Sequence, residues 1–163
     1  MTAMNSKKKP SITPAAPGCT CARLRRLTRR MTALYDNELA PTGLRLTQYS
    51  LLATLWREDS QKGINLSDLA AVMDMDRTTL TRNLQPLTQR QLISIDIDAT
   101  DGRMRRARLT TQGVAAFKAA QPFWRIAQSR VDQALGKENV TALHQWVDSV
   151  IPAFREEAHG ANP

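Results

Sequence analysis

Residues 65–90 read NLSDLAAVMDMDRTTLTRNLQPLTQR, and this stretch decides the fold. Asn65 can cap a short helix, and Asp68 in its first turn favours the same start. Leu69 and Val72 supply the inner face of that helix. After the turn Asp74-Met75, Asp76 caps a second helix reaching Arg90, in which Leu80, Leu84 and Leu87 share one side at helical spacing. Two short helices joined by a tight turn, the second with a polar outer face, make a helix-turn-helix.

Directly downstream the period changes from helix to strand. Ile93, Ile95 and Ile97 alternate with Ser94, Asp96 and Asp98, the pattern of a half-buried strand. Thr100-Asp101-Gly102 is a turn signal, and Arg105 to Leu109 can return as the partner strand. A hairpin in this position is a wing. The fold expected is mainly α, with a small β-hairpin wing.

Working outward, Leu24, Leu27, Met31 and Leu34 form a narrow seam suited to packing against another helix, ended by Pro41 and Gly43. Thr47 is expected to cap the next helix, whose apolar face is Leu51, Leu52, Leu55 and Trp56; Gln61-Lys62-Gly63 follows as a turn. Beyond the wing, Thr111 is expected to cap a long helix marked by Val114, Phe117, Gln121, Trp124, Gln128, Val131 and Leu135, and Gly136 breaks it. A last helix carries Leu143, Trp146, Val147, Val150, Ile151 and Phe154. Pro86 is expected to bend the second helix of the motif, and Pro152 to kink or fray the last one.

Charge narrows the partners. The 163-residue chain carries 23 Lys and Arg against 15 Asp and Glu, a formal charge of +8, which suits a polyanion. The excess is local. Arg23, Arg25, Arg26, Arg29 and Arg30 cluster near the start, and Arg103, Arg105, Arg106 and Arg108 cluster on the hairpin, while basic and acidic residues cancel from Thr111 onward. No apolar run is long enough to span a bilayer and none follows Lys7, Lys8 and Lys9 as a secretory signal would, so a cytoplasmic location is expected.

With Leu80, Leu84 and Leu87 turned inward, the opposite face of their helix holds Thr78, Arg82, Gln85 and Gln89, with Thr81 beside it. Such side chains hydrogen-bond base edges or phosphates, and a helix fits the major groove of duplex DNA. The plainer alternative is an ordinary solvated face. Arg77, in the first turn, suits a phosphate. Arg103 at the hairpin tip suits the minor groove, with Arg105 and Arg106 on the return strand beside it; alternatively the hairpin is simply charged and solvated.

An enzyme is the rival class, and the chain has no glycine-rich phosphate loop, no Gly-x-Ser-x-Gly elbow and no HExxH. His144 and His159 are its only histidines, and Cys19 and Cys21 its only cysteines, too few for a zinc site or a disulfide scaffold. Asp96, Asp98 and Asp101 lack the glycine and distant glutamate of a calcium loop. No catalytic residue, metal or cofactor is expected.

Leu66-Ser67-Asp68-Leu69-Ala70, Asp76-Arg77-Thr78-Thr79-Leu80-Thr81-Arg82, Asp101-Gly102-Arg103 and Leu109-Thr110-Thr111-Gln112-Gly113 together resemble, in order and spacing, the signatures of the MarR family of bacterial regulators. The resemblance covers roughly residues 20–157. It implies a homodimer gripping a palindromic DNA operator, usually as a repressor, with Arg103 as the wing arginine and Thr78, Thr81 and Arg82 in the recognition helix. It divides the chain into a flexible basic tail (1–18), an N-terminal dimerisation helix (19–44), a winged helix-turn-helix domain (45–110), C-terminal dimerisation helices (111–157) and a short tail (158–163). Three departures stand out. Gln91 occupies the place of a usual Gly, Ile95 replaces a commonly basic residue, and Pro152 interrupts the last helix.

Regulators of this family commonly release DNA on binding a small aromatic or phenolic compound. Tyr35, Tyr49, Trp56, Phe117 and Trp124 are the candidates for such a pocket, against the simpler alternative that they are core. Cys19 and Cys21, at the mouth of the arginine-rich helix, raise the alternative of a thiol-based redox switch, which some members of the resembled family use. A further alternative is an architectural protein that binds DNA without sequence preference.

Overall fold

The computed structural model describes residues 18–58, 63–98 and 100–160, with side chains as far as Phe154. The expected tail therefore lies outside the described residues up to position 17, as do Gln61 and Lys62 of the expected turn and the last three residues. The described part holds α1 (Thr20–Leu39), a single turn of 3-10 helix, α2 (Leu46–Arg57), β1 (Ile64–Asn65), α3 (Leu66–Val72), α4 (Arg77–Gln89), β2 (Ile93–Ile97), β3 (Arg105–Leu109), α5 (Thr111–Leu135) and α6 (Lys137–Gly160). No helix among them is long and apolar enough to cross a membrane.

Leucines dominate the main core. Leu39, Leu51, Leu52, Leu69, Leu80, Leu84, Leu87 and Leu92 are fully buried where α1, α2, α3 and α4 meet. A smaller cluster of Tyr35, Ala127, Val131 and Val140 joins α1, α5 and α6. Trp124 and Leu46 pack against both.

Helix starts follow local chemistry, two residues earlier than expected in α2 and one residue earlier in α5. Instead of Thr47, Arg45 precedes α2; the Gln48 side chain accepts the Arg45 N–H at 3.0 Å, and Asp36 of α1 accepts the Leu46 N–H at 2.7 Å. α5 is capped by Thr110, whose hydroxyl oxygen accepts the Gly113 N–H at 3.0 Å, leaving Thr111 as its first helical residue. Gly113 is required there, because a Cβ would stand 1.8 Å from the Leu92 carbonyl oxygen. α4 continues through Pro86 and α6 through Pro152, so neither proline ends its helix.

The wing hairpin belongs to a three-stranded antiparallel sheet in the order β1-β3-β2. Ile93 pairs with Leu109, Ile95 with Ala107 and Ile97 with Arg105, while β1 sets Ile64 against Ala107 and Asn65 against Arg106. Two residues are too short to show a period, and β1 escapes a reading of the sequence for that reason.

Candidate nucleic-acid interface

The helix-turn-helix is closed at both ends by the same backbone device. After α3, the Asp74 N–H donates to the Ala71 carbonyl at 3.2 Å and the Met75 N–H to the Ala70 carbonyl at 2.9 Å. After α4, the Gln91 N–H donates to Thr88 and the Leu92 N–H to Leu87, both at 2.9 Å. These are Schellman closures, which need a left-handed residue after the helix. Asp74 (φ 51°) and Gln91 (φ 56°) supply it without being glycine. The departure at Gln91 thus changes the residue and keeps the conformation, helped by the buried pair Leu87 and Leu92.

Asn65 caps α3 by accepting the Ser67 N–H at 2.9 Å. Asp76 caps α4, taking the Thr79 N–H at 2.9 Å and the Thr79 hydroxyl at 2.6 Å. The Thr79 hydroxyl and then its N–H hold the Asp76 carboxyl below the usual carboxylate range. With Leu80, Leu84 and Leu87 buried, Arg77, Thr78, Thr81, Arg82, Gln85 and Gln89 are all exposed on the free side of α4. The Thr81 hydroxyl donates to the Arg77 carbonyl at 2.8 Å, which leaves its oxygen free to accept.

At the wing tip Arg103 is exposed, and its N–H donates to Asp101 Oδ1 at 2.9 Å. Arg77, Arg103 and Arg105 line one cleft of about 740 Å³ between the α3–α4 turn and the wing, together with Asp74 and Asp76. The structure therefore brings the first turn of α4 and the hairpin tip to a common opening. Arg106 is placed differently from its neighbours. It is half-buried, with Nε on Asp98 and Nη1 donating to the Gly63 carbonyl at 3.0 Å. Arg108 pairs with Asp96 at 3.2 Å. The Asp98–Arg106 contact went unread in the sequence, although two residues of opposite charge on facing strands of a hairpin are the signal for it.

The five aromatic residues offered as a pocket lie in one unbroken row. Tyr35 and Trp124 are 6.4 Å apart between ring centroids, Trp124 and Tyr49 5.9 Å, Tyr49 and Phe117 5.4 Å, and Phe117 and Trp56 5.9 Å. Tyr35, Tyr49 and Phe117 are buried, and the Tyr35 hydroxyl donates to Gln128 Oε1 at 2.6 Å. Burial raises the pKa of both tyrosines. Cys19 and Cys21 are both exposed; Cys19 caps α1, its Sγ accepting the Ala22 N–H at 3.4 Å.

A helix-turn-helix running straight into an arginine-tipped hairpin defines a winged helix-turn-helix protein. The sequence profile of the MarR family matches residues 44–104. Among solved structures, the M. tuberculosis transcriptional regulator MosR in complex with DNA is 34% identical, over 82% of this chain and 99% of that one, with a TM-score of 0.67. A probable transcriptional regulator from Pseudomonas aeruginosa is 24% identical over 82% and 97%, with a TM-score of 0.73. A MarR-family regulator from Rhodococcus is 21% identical over 84% and 98%, with a TM-score of 0.72. No curated protein sequence matches. The chain belongs to the MarR family of winged helix-turn-helix transcriptional regulators.

Proposed function

We propose that the chain is a sequence-specific DNA-binding repressor, acting from the cytoplasm on a palindromic operator as a homodimer. The observation that carries this reading is the shared opening of Arg77 with Arg103 and Arg105. It lets a helix lie in the major groove while the adjacent tip reaches the flanking minor groove or phosphates. Thr78, Thr81, Arg82, Gln85 and Gln89 then face the base edges. The 34%-identical relative was solved on DNA, which supports the same use of these elements. An architectural protein of this fold would bind duplexes without preference.

Dimerisation is supported by apolar surface that one protomer leaves in water. Leu24 is 44% exposed, Leu27 40%, Ile126 47%, Trp146 50% and Phe154 68%, all on α1, α5 and α6. A second copy is the natural cover, since exposed apolar side chains grouped on the same helices mark an interaction surface.

The test is selection of bound fragments from a pool of random duplexes by the purified chain. A single palindrome retained against competitor DNA is the expected result, and binding lost to competitor would favour the architectural alternative. Arg82→Ala and Arg103→Ala should each weaken that duplex by about 1–3 kcal/mol. A monomer by sedimentation, or unchanged affinity in the double variant, refutes the reading.

Release by a small aromatic or phenolic effector is supported by the aromatic row, whose two half-buried tryptophans, Trp56 at one end and Trp124 next to Tyr35 at the other, give such a compound rings to stack on. Quenching of tryptophan fluorescence together with weakened operator binding is the expected response to an active compound. A second switch is favoured by the position of Cys19 at the cap of α1 with Cys21 exposed beside it. Peroxide would take two electrons from the two thiols, giving one disulfide and two waters. A bridge to Cys21 would take the Cys19 Sγ away from the Ala22 N–H and so remove the cap of α1. Equal DNA affinity before and after peroxide would remove this second switch.

A further inference from the structure

We infer that Arg106 is a positioning residue for the wing: paired with Asp98, it fixes the tip that presents Arg103 and does not itself touch the duplex. This rests on the DNA-binding reading above and assigns Arg106 a different part in it from its neighbours.

The argument begins at Asp98, whose side chain is only 5% exposed although it stands where β2 leaves the sheet. Its Oδ1 accepts the backbone N–H of Thr100 at 2.7 Å and of Asp101 at 3.1 Å, as well as the Thr100 hydroxyl. Its Oδ2 takes Arg106 Nε. One carboxylate thus gathers the first residues of the turn and a side chain of the returning strand. Asp98 N–H donates to the Met104 carbonyl and Met104 N–H to the Asp101 carbonyl, both at 2.9 Å, which closes the tip around Arg103. Asp101 in turn holds the Arg103 N–H.

Arg106 anchors this turn to the rest of the lobe. Its Nη1 donates to the Gly63 carbonyl at 3.0 Å, and its backbone lies opposite Asn65, the residue that caps α3. Gly63 has φ +69°, and a Cβ there would stand 2.7 Å from the Ala107 carbonyl oxygen, so only glycine brings its carbonyl to this place without strain. The chain of contacts runs from the helix-turn-helix through Gly63, Arg106 and Asp98 to the turn that carries Arg103. A half-buried arginine neutralised by a buried carboxylate offers a phosphate little net attraction, whereas Arg103 and Arg105 are exposed beside the cleft.

Direct contact and positioning predict opposite signs for one substitution. Asp98→Asn removes a negative charge near the DNA and keeps the oxygen that accepts the turn N–H groups. If Arg106 touched the duplex, freeing it from Asp98 would strengthen binding. If it positions the tip, Asp98→Asn weakens binding about tenfold, Arg106→Gln does the same, and the double variant is no worse than either. In an Arg103→Ala background both effects should vanish.

The experiment uses the full chain and the duplex that wild type selects from a random pool, with thermal melts run alongside. Tighter or equal binding by Asp98→Asn overturns the inference, as does an Arg106→Gln effect that persists without Arg103. Loss of the cooperative melt in both single variants overturns it too, because the pair would then hold the fold and not the tip. Wild-type protein that selects no duplex is a separate failure, seen before any substitution, and sinks the DNA-binding reading with the inference.

Discussion

Thr110 Oγ1 donates a hydrogen bond to the carbonyl of Gln91 over 2.6 Å, so the residue that opens α5 also fastens the left-handed end of α4. The same oxygen accepts the Gly113 N–H, and the Thr110 N–H reaches the Leu92 carbonyl at 3.1 Å. Thr110→Val keeps the shape and removes both side-chain bonds. The expected cost is about 2 kcal/mol, a lost cap plus a lost tie. Urea denaturation should show a lower midpoint at an unchanged m value.

Gly113→Ala should be more damaging. The new methyl would meet the carbonyl oxygen of buried Leu92 at 1.8 Å, and that oxygen belongs to backbone already bonded to Thr110. Either α5 or the start of β2 must move, at a cost of about 3 kcal/mol. Denaturation of this variant next to wild type measures it, and equal stability would contradict the packing described.

Gln91→Gly should have the opposite sign. A non-glycine residue at φ 56° carries left-handed strain of about 1 kcal/mol, only partly offset by the greater freedom glycine brings to the unfolded chain. The variant is expected to melt slightly higher, with Thr110 still bonded to the position 91 carbonyl. A lower melting temperature would mean that the Gln91 side chain supplies a compensating contact.

Acid should loosen the wing. The Arg106 guanidinium, then the Thr100 hydroxyl and N–H, hold the Asp98 carboxyl well below the usual carboxylate range. Its unfolded counterpart titrates near pH ~3.9. Below that pH the unfolded chain binds more protons than the native one, so this contribution is present at neutral pH and is lost as the pH falls. Stability measured from pH 6 downward should fall less steeply in Asp98→Asn than in wild type. Identical slopes would show that Asp98 is not responsible.

The elements most legible in the sequence were those with a period and a cap. Asn65 and Asp76 open their helices as their side-chain chemistry requires, and the spacing of Leu80, Leu84 and Leu87 fixed which face of α4 stays free. Pro86 stands inside α4 and does not end it. It lacks a single N–H in the last turn, and the Schellman closure that follows it holds that turn together, the Arg90 N–H donating to Pro86 itself at 3.1 Å. The five aromatics were scattered in sequence, yet Phe117 and Trp124 lie two helical turns apart on α5 and both meet Tyr49 from α2. Arg106 was read with its neighbours because charge and strand alternation are visible in a sequence, whereas its bond to the Gly63 carbonyl exists only once β1 docks on β3.

The double membership of Trp124 and Leu46 in the two apolar clusters has a mechanical consequence. A helix of 25 residues is about 37 Å long, and α5 is clamped to both clusters along that length. The two clusters therefore share side chains and leave no unpacked waist between the winged lobe and α5. In the homodimer proposed above, a change of operator spacing would accordingly be met first at the contact between the two copies.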